Sequence, residues 1–150
     1  MDPSIVSALE IIFTSYANSP NPIFLIREQV FHREQNIDPA LDMDGEDEAA
    51  QHVIAYWQQQ PVGIARIRAY GEENQAKIER VAVLPAFRHR GIGQAITTAA
   101  LNYAQQQGFA TALLYAQVQS ASFYEQFGFQ RQGTPFIQAN ISHIAMTKNL

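Results

Sequence analysis

The stretch Arg88-His89-Arg90-Gly91-Ile92-Gly93 lies between a strand-like run and a long helical stripe, and it constrains this chain more than any other feature. Lys77 to Leu84 carries Ile78, Val81 and Val83, stops at Pro85, and reads as a strand. From Gly91 to Gln107, Ile92, Ala95, Ile96, Ala99, Ala100, Tyr103 and Ala104 recur at helical spacing, and Gly108 supplies the stop. The first N–H groups of a helix have no intrahelical acceptor and sit at the positive end of its dipole. Glycines there let the backbone approach an anion with no Cβ in the way. Arg88 and Arg90 add positive charge at the same place. The block reads as a pyrophosphate cradle; the plainer alternative makes Gly91 a turn residue only.

Two other glycine-loop chemistries fail the comparison. A Walker loop needs Lys and Ser/Thr after its last glycine, but Gln94 and Ala95 follow Gly93. A dinucleotide fingerprint needs a small residue three after Gly93, where Ile96 stands, and an acid about twenty residues on, which is missing. A nucleotide phosphotransferase is disfavoured on the same ground.

The rest of the chain supplies a sheet around this unit. Ser4 to Thr14 reads as a strand or a short helix, and Asn18 to Pro22 as a breaker cluster. Residues 23–34 have helical spacing, Pro39 ends the short segment after them, and Asp42 to Glu48 is an acidic loop around Gly45. His52–Gln58 and Ile64–Tyr70 form a hairpin across a turn at 59–63, and Gly71–Gln75 turns the chain again. Thr111–Ala116 is a short buried strand and Ser120–Phe127 a short helix closed by Gly128. Phe129–Ile137 and His143–Lys148 are closing strands. Hairpins leading into one strand–helix–strand crossover give an α+β fold with a mixed sheet, one domain over residues 1–150. Trp57, Phe24 and Phe31 read as core.

Charge divides unevenly along the chain. The net charge is −4, yet residues 1–60 carry ten acids and two bases, and residues 61–150 carry four acids and eight bases. Six of those bases fall between Arg66 and Arg90. The acidic total argues against a nucleic-acid or acidic-membrane binder. With no Cys there is no disulfide framework, Cys-ligated zinc or cysteine nucleophile. Asp42 and Asp44 superficially suggest a metal loop, but the twelfth residue from Asp42 is Val53, not Glu, so no metal is expected. Met1-Asp2-Pro3-Ser4 lacks the basic leader of a secretory signal, and a cytoplasmic location is expected.

At this point the sequence resembles a GNAT-superfamily N-acetyltransferase. Arg88, two residues, Gly91, Ile92 and Gly93 match that family's Arg/Gln-x-x-Gly-x-Gly/Ala signature, preceded by Val81 to Pro85. Phe123, Tyr124, Phe127, Gly128 and Phe129 match a second family element at the expected distance. The flanks are similar to the ElaA-like branch: Arg27, Val30, Phe31, Glu34, Gln35, Asp42, Asp44 and His52 in front, and Ala116, Gln117, Phe136, Ile137, Ile141, His143 and Met146 behind. The resemblance implies a mostly antiparallel mixed sheet with a central splay, flanked by helices. It also implies acetyl-CoA as donor and direct transfer to a primary amine of a small molecule or peptide.

The same resemblance assigns residues. Backbone amides from Arg88 through His89, Arg90, Gly91, Ile92 and Gly93 to Gln94 would hold the pyrophosphate. The backbones of Val81 and Val83 would bond the pantetheine arm like an extra strand at the splay. Amide formation needs a polarised carbonyl, a base for the amine and a proton for the departing thiolate. The N–H at Val81 or Ala82 is the candidate polariser. Tyr124 matches the family's acid and otherwise reads as an ordinary buried tyrosine. Glu79, two residues before Val81 and so on the same strand face, is the candidate base; otherwise it pairs with Arg66, Arg68 or Arg80. His52 and His143 are further base candidates, and water is another. Gln117 stands where several relatives carry Asn, and binds pantetheine or orients the acceptor. The acidic loop reads either as a solvated loop or as an attractor for a cationic amine. The alternative to an enzyme is an idle acyl-CoA-binding module for sensing or partner contact. A homodimer through a sheet edge or helix pairing is compatible with either.

Overall fold

The computed structural model describes residues 8–150. Of the ambiguous segment 4–14, the described part forms a strand, β1 (Leu9–Thr14), while residues 4–7 lie outside the described residues. The proline cluster does more than break the chain. Helix α1 (Pro20–Arg27) opens with Pro20 in its first turn, where a missing N–H removes no bond. The helix widens into a π-type turn over Glu28–Glu34, closed by the Gln35 N–H donating to the Val30 carbonyl at 3.1 Å. Pro39 likewise starts an element instead of ending one: α2 (Pro39–Asp42) is a single turn capped by Asp38, whose carboxylate accepts from the Ala40 N–H at 2.9 Å.

Strands β2 (Gln51–Trp57) and β3 (Gln60–Ala69) meet at Gln58 and Gln59, whose φ values are 48° and 70°. The bend therefore falls before the expected 59–63. Two central residues with positive φ match the twist of paired strands better than the Pro-Val-Gly bend would. Then come β4 (Gln75–Val83), α3 (Ile92–Gln106), β5 (Thr111–Gln117), α4 (Ala121–Glu125), β6 (Gln130–Gln138) and β7 (Ile141–Asn149). The seven strands lie in the order β1-β2-β3-β4-β5-β7-β6, with β4 and β5 parallel and the other neighbours antiparallel. This is the expected α+β architecture.

Each sheet face carries its own core. On one, α3 sets Ile92, Ile96 and Ala100 against Ile67, Ile78 and Leu114. On the other, Ile23, Ile26 and Val30 meet Ile54, Ile64 and Ala82. Phe31 is buried there as expected, but Phe24 is 42% exposed because α1 turns Ile23 and Ile26 inward in its place.

Gly63 lets α3 settle onto the sheet. A Cβ there would stand 2.6 Å from Ile96 Cδ1 and 3.2 Å from the Ala82 carbonyl oxygen. Gly63→Ala should therefore cost roughly 1–3 kcal/mol of stability, read as a lowered urea midpoint. An unchanged midpoint would show that the contact is not close.

Candidate active site

Strands β4 and β5 pair over three rungs: Gln75 with Thr111, Ala76 with Ala112 and Lys77 with Leu113. Beyond Lys77 they part: β5 continues its pairing with β7 to Gln117, while β4 continues with β3 to Val83. A cleft of about 490 Å³ opens between them. Val81 lines one wall, Tyr115, Ala116 and Gln117 the other, and Tyr124 also borders it. The parted strands leave backbone N–H and C=O groups without ladder partners, as a sheet edge does.

The β4 wall is bulged. Ile64 pairs with Ala82 and Arg66 with Glu79, so β4 carries one residue more than β3 between these rungs. The extra residue is Arg80, in the left-handed region at φ 55°. It resets the alternation, and this corrects the expectation that Glu79 shares a face with Val81. Val81 and Val83 pack with the α3 core, whereas Glu79 reaches Arg66 and Arg68 on the opposite face.

After β4 a 3-10 turn over Pro85–Phe87 leads into the glycine loop. His89 (φ 63°) and Gly91 (φ 83°) are both left-handed, and Gly91 caps α3 without any side-chain bond. The first intrahelical bond runs from the Ala95 N–H to the Gly91 carbonyl, so Ile92, Gly93 and Gln94 keep N–H groups with no acceptor in the helix. Both arginines of the loop are already engaged. The Arg88 guanidinium forks onto Glu34 with two bonds of 2.7 Å, and its Nε donates to the Val83 carbonyl at 2.9 Å. Arg90 stacks over Trp57 and Phe87, 5.6 and 5.5 Å from their ring centres. What the loop leaves unengaged is its backbone N–H groups and not these side chains.

Tyr124 sits on α4 with its ring edge-on to Phe123 and Phe129, 5.0 and 6.1 Å between centres. Its hydroxyl has no hydrogen-bond partner among the described residues and borders the cleft; burial pushes the phenol's pKa above its usual value. Gln117, at the end of β5, donates to Gln35 at 2.8 Å and accepts from Gln119 at 2.9 Å. Glu34 and Gln35, at the end of the π turn, thus tie the glycine loop through Arg88 and the β5 wall through Gln117, contacts with no signal in spacing.

Of the three candidate bases, Glu79 and His143 both line the cleft and His52 does not, and their surroundings separate the first two. Burial alone would raise the Glu79 pKa, but hydrogen bonds and charge from Arg68 and Arg66, with Lys77 beside them, outweigh it and hold the carboxyl down to about 2. Such a carboxylate is a weak base. His52 is 2% exposed, bonds the Asp47 carbonyl at 2.9 Å through Nε2, and lies outside the cleft; burial lowers its pKa. His143 does line the cleft. Its Nδ1 is 2.7 Å from the Ile141 carbonyl, which can only accept, so in the neutral ring Nδ1 carries the proton and Nε2 the lone pair.

The acidic loop is part anchored and part solvated: Asp44, Glu46 and Glu48 stay exposed, while Asp42 and Asp47 are buried and three of its acids are tied to cations of the fold. Asp42 binds Arg27, Arg80 and His32, Asp44 binds Arg66 and Arg80, and Asp47 binds Arg27 and Arg66. Asp42 and Asp47 are 3% and 6% exposed. The acidic front and the basic rear of the chain neutralise each other across the fold. Among the described residues no cluster of acids and histidines has the form of a metal site, and no helix is long and apolar enough to cross a membrane.

Comparison with known proteins is consistent with this geometry. Over 127 residues the chain is 32% identical to a Bacillus subtilis (strain 168) protein named uncharacterized N-acetyltransferase YjcF, covering 84% of this chain and 89% of that one. Escherichia coli ElaA superposes with a TM-score of 0.83 at 25% identity, covering 93% of this chain and 99% of its own. An acyl-CoA N-acyltransferase from Pseudomonas aeruginosa gives the same score, identity and coverage. The model of the acetyltransferase (GNAT) domain matches residues 22–150, and the chain belongs to that family of acetyltransferases.

Proposed function

We propose that the chain transfers the acetyl group of acetyl-CoA directly to a primary amine of a small molecule or peptide. The observation that carries this reading is the parting of β4 and β5 beside the N-terminus of α3, which has no side-chain cap, with Tyr124 lining the gap. In this reading the amides from Arg88 to Gln94, with His89, Arg90, Gly91, Ile92 and Gly93 between them, hold the pyrophosphate at the positive end of the helix. The backbones of Val81 and Val83 ladder the pantetheine arm along the bank that β5 leaves open. The N–H at Val81 or Ala82, beside the bulge, polarises the acetyl carbonyl. Gln117 marks the opposite bank.

The amine nitrogen attacks the carbonyl carbon, the new C–N bond forms, and the C–S bond breaks. His143 Nε2 takes the amine's proton, directly or through water. Tyr124 donates a hydrogen bond to the departing sulfur. Its phenol is a weaker acid than a thiol of pKa about 8.5, so it steadies the thiolate instead of surrendering its proton. Glu79 has the lesser role of holding Arg66, Arg68 and Lys77 in place.

Acetyl-CoA at a hundredfold excess over its Kd should stabilise the fold by about 2.7 kcal/mol, seen as a raised Tm. No shift at millimolar acetyl-CoA would remove the donor assignment. An amine panel with detection of released thiol then tests transfer; thermal stabilisation with no thiol released from any amine would leave an acyl-CoA-binding module.

A further inference from the structure

Arg80 is a non-glycine residue held left-handed in the middle of β4, a conformation that persists only where the surroundings enforce it. They do enforce it. The Arg80 Nε donates to Asp42 Oδ1 at 2.7 Å, and Nη2 donates to the Asp42 carbonyl at 3.1 Å and to Asp44 Oδ2 at 3.3 Å. Asp42 is itself immobilised. Its Oδ2 accepts from Arg27 Nε at 3.0 Å and lies 2.8 Å from His32 Nε2, and its carbonyl accepts from Arg27 Nη2 at 2.8 Å. Arg27 is 1% exposed and anchored further by Asp47 at 2.6 Å. A rigid chain of contacts therefore runs from α1 through the one-turn helix α2 to the bulge.

The bulge decides where the next backbone amides point, because an inserted residue turns the strand after it. Val81 and Ala82 are those next residues. We infer that Arg80, clamped by Asp42, is a positioning residue that fixes the bulge and so aims the N–H which polarises the acetyl carbonyl. This rests on the acetyl-CoA reading above. A misaimed donor in such a site loses much of its effect, since a displacement of about 1 Å costs roughly a hundredfold in rate.

Arg80→Gly is the sharpest variant: glycine adopts φ 55° freely, so the bulge can still form, but its anchor on Asp42 is gone. The carbonyl stretch of acetyl-CoA labelled with ¹³C at the carbonyl should be lowered on binding to the wild-type protein, as a strong hydrogen bond requires. In Arg80→Gly it should return toward the value of the free thioester. The kcat should fall roughly 10- to 100-fold, while the Kd for CoA, which has no carbonyl at that place, stays within about twofold. If Arg80→Gly does not fold, Arg80→Lys carries the same comparison, keeping the charge but losing the two-pronged hold. A carbonyl band lowered equally in wild type and variant, or an unchanged kcat, overturns the positioning role alone. Failure of the wild-type protein to bind acetyl-CoA overturns instead the reading on which it rests.

Discussion

Tyr124→Phe should lower kcat by roughly a hundredfold, the low end of what losing one positioned hydrogen-bond donor to a developing anion costs, and leave the Kd for CoA nearly unchanged. The substitution is unusually clean. The ring's contacts with Phe123 and Phe129 survive in phenylalanine. The hydroxyl makes no hydrogen bond to a described residue, so its removal orphans no partner and the Tm should hold. Loss confined to kcat, with binding intact, marks an interaction made in the transition state alone. The raised pKa adds a second signature: the phenol keeps its proton through the alkaline range, so Tyr124 gives the rate profile no falling limb below about pH 10. An unchanged kcat with saturating amine would remove Tyr124 from the reaction, whereas a falling limb below about pH 10 that disappears in the variant would overturn the raised pKa and not the role.

What the sequence made legible depended on how local the cause was. The glycine loop and its helix come from residues that are neighbours in the chain, and α3 begins at Ile92 and ends before Gly108 as the periodicity requires. The splay was reached only through resemblance, since where β4 and β5 stop pairing is set by non-local contacts. The bulge left a trace: the apolar residues Ile78, Val81 and Val83 stand three and then two apart, while an unbroken strand keeps a spacing of two. Taking β4 as unbroken put Glu79 on the wrong face. The prolines misled for a different reason, since proline at a first helical turn and proline after a helix look alike in sequence. Only the tertiary contacts of Ile23 and Ile26, or of Asp42, separate them.

Charge was the least legible feature. Composition separated an acidic front from a basic rear but not what each faces, and it left solvation and attraction of a cationic acceptor as the two readings. Arg66 and Arg80 instead draw in Asp42, Asp44 and Asp47 from across the sheet, a pairing set by tertiary contact alone. His52, a base candidate by residue type, was absorbed beneath the same loop by its bond to the Asp47 carbonyl.

Arg66→Met should cost more stability than Gly63→Ala or any of the site variants. Arg66 is 1% exposed and donates to Glu79 at 2.7 Å, to Asp47 at 3.0 Å, and to Asp44 at 2.9 and 2.7 Å. Methionine fills much of the space but takes away the cation that Asp44, Asp47 and Glu79 share, leaving each of these carboxylates with fewer bonds than it has now. Removing one partner of a buried ion pair costs about 3–5 kcal/mol, against a total of about 5–15 kcal/mol for a domain of this kind. The acid side supplies the control. Burial would raise the pKa of Glu79, but Arg68 and Arg66 hold it down to about 2 from 4.5, and Asp44 is lowered too, against its own burial, by Arg66. A depressed carboxylate adds stability that is complete above its unfolded pKa and lost as pH falls through the folded one. For Glu79 that window runs from about 4.5 down to about 2. In Arg66→Met the depression is smaller, so the variant has less to lose on acidification. Urea midpoints should therefore differ widely at pH 7 and draw together at pH 3. A gap that stays constant between the two would mean that Arg66 stabilises the fold by filling space and not by its charge.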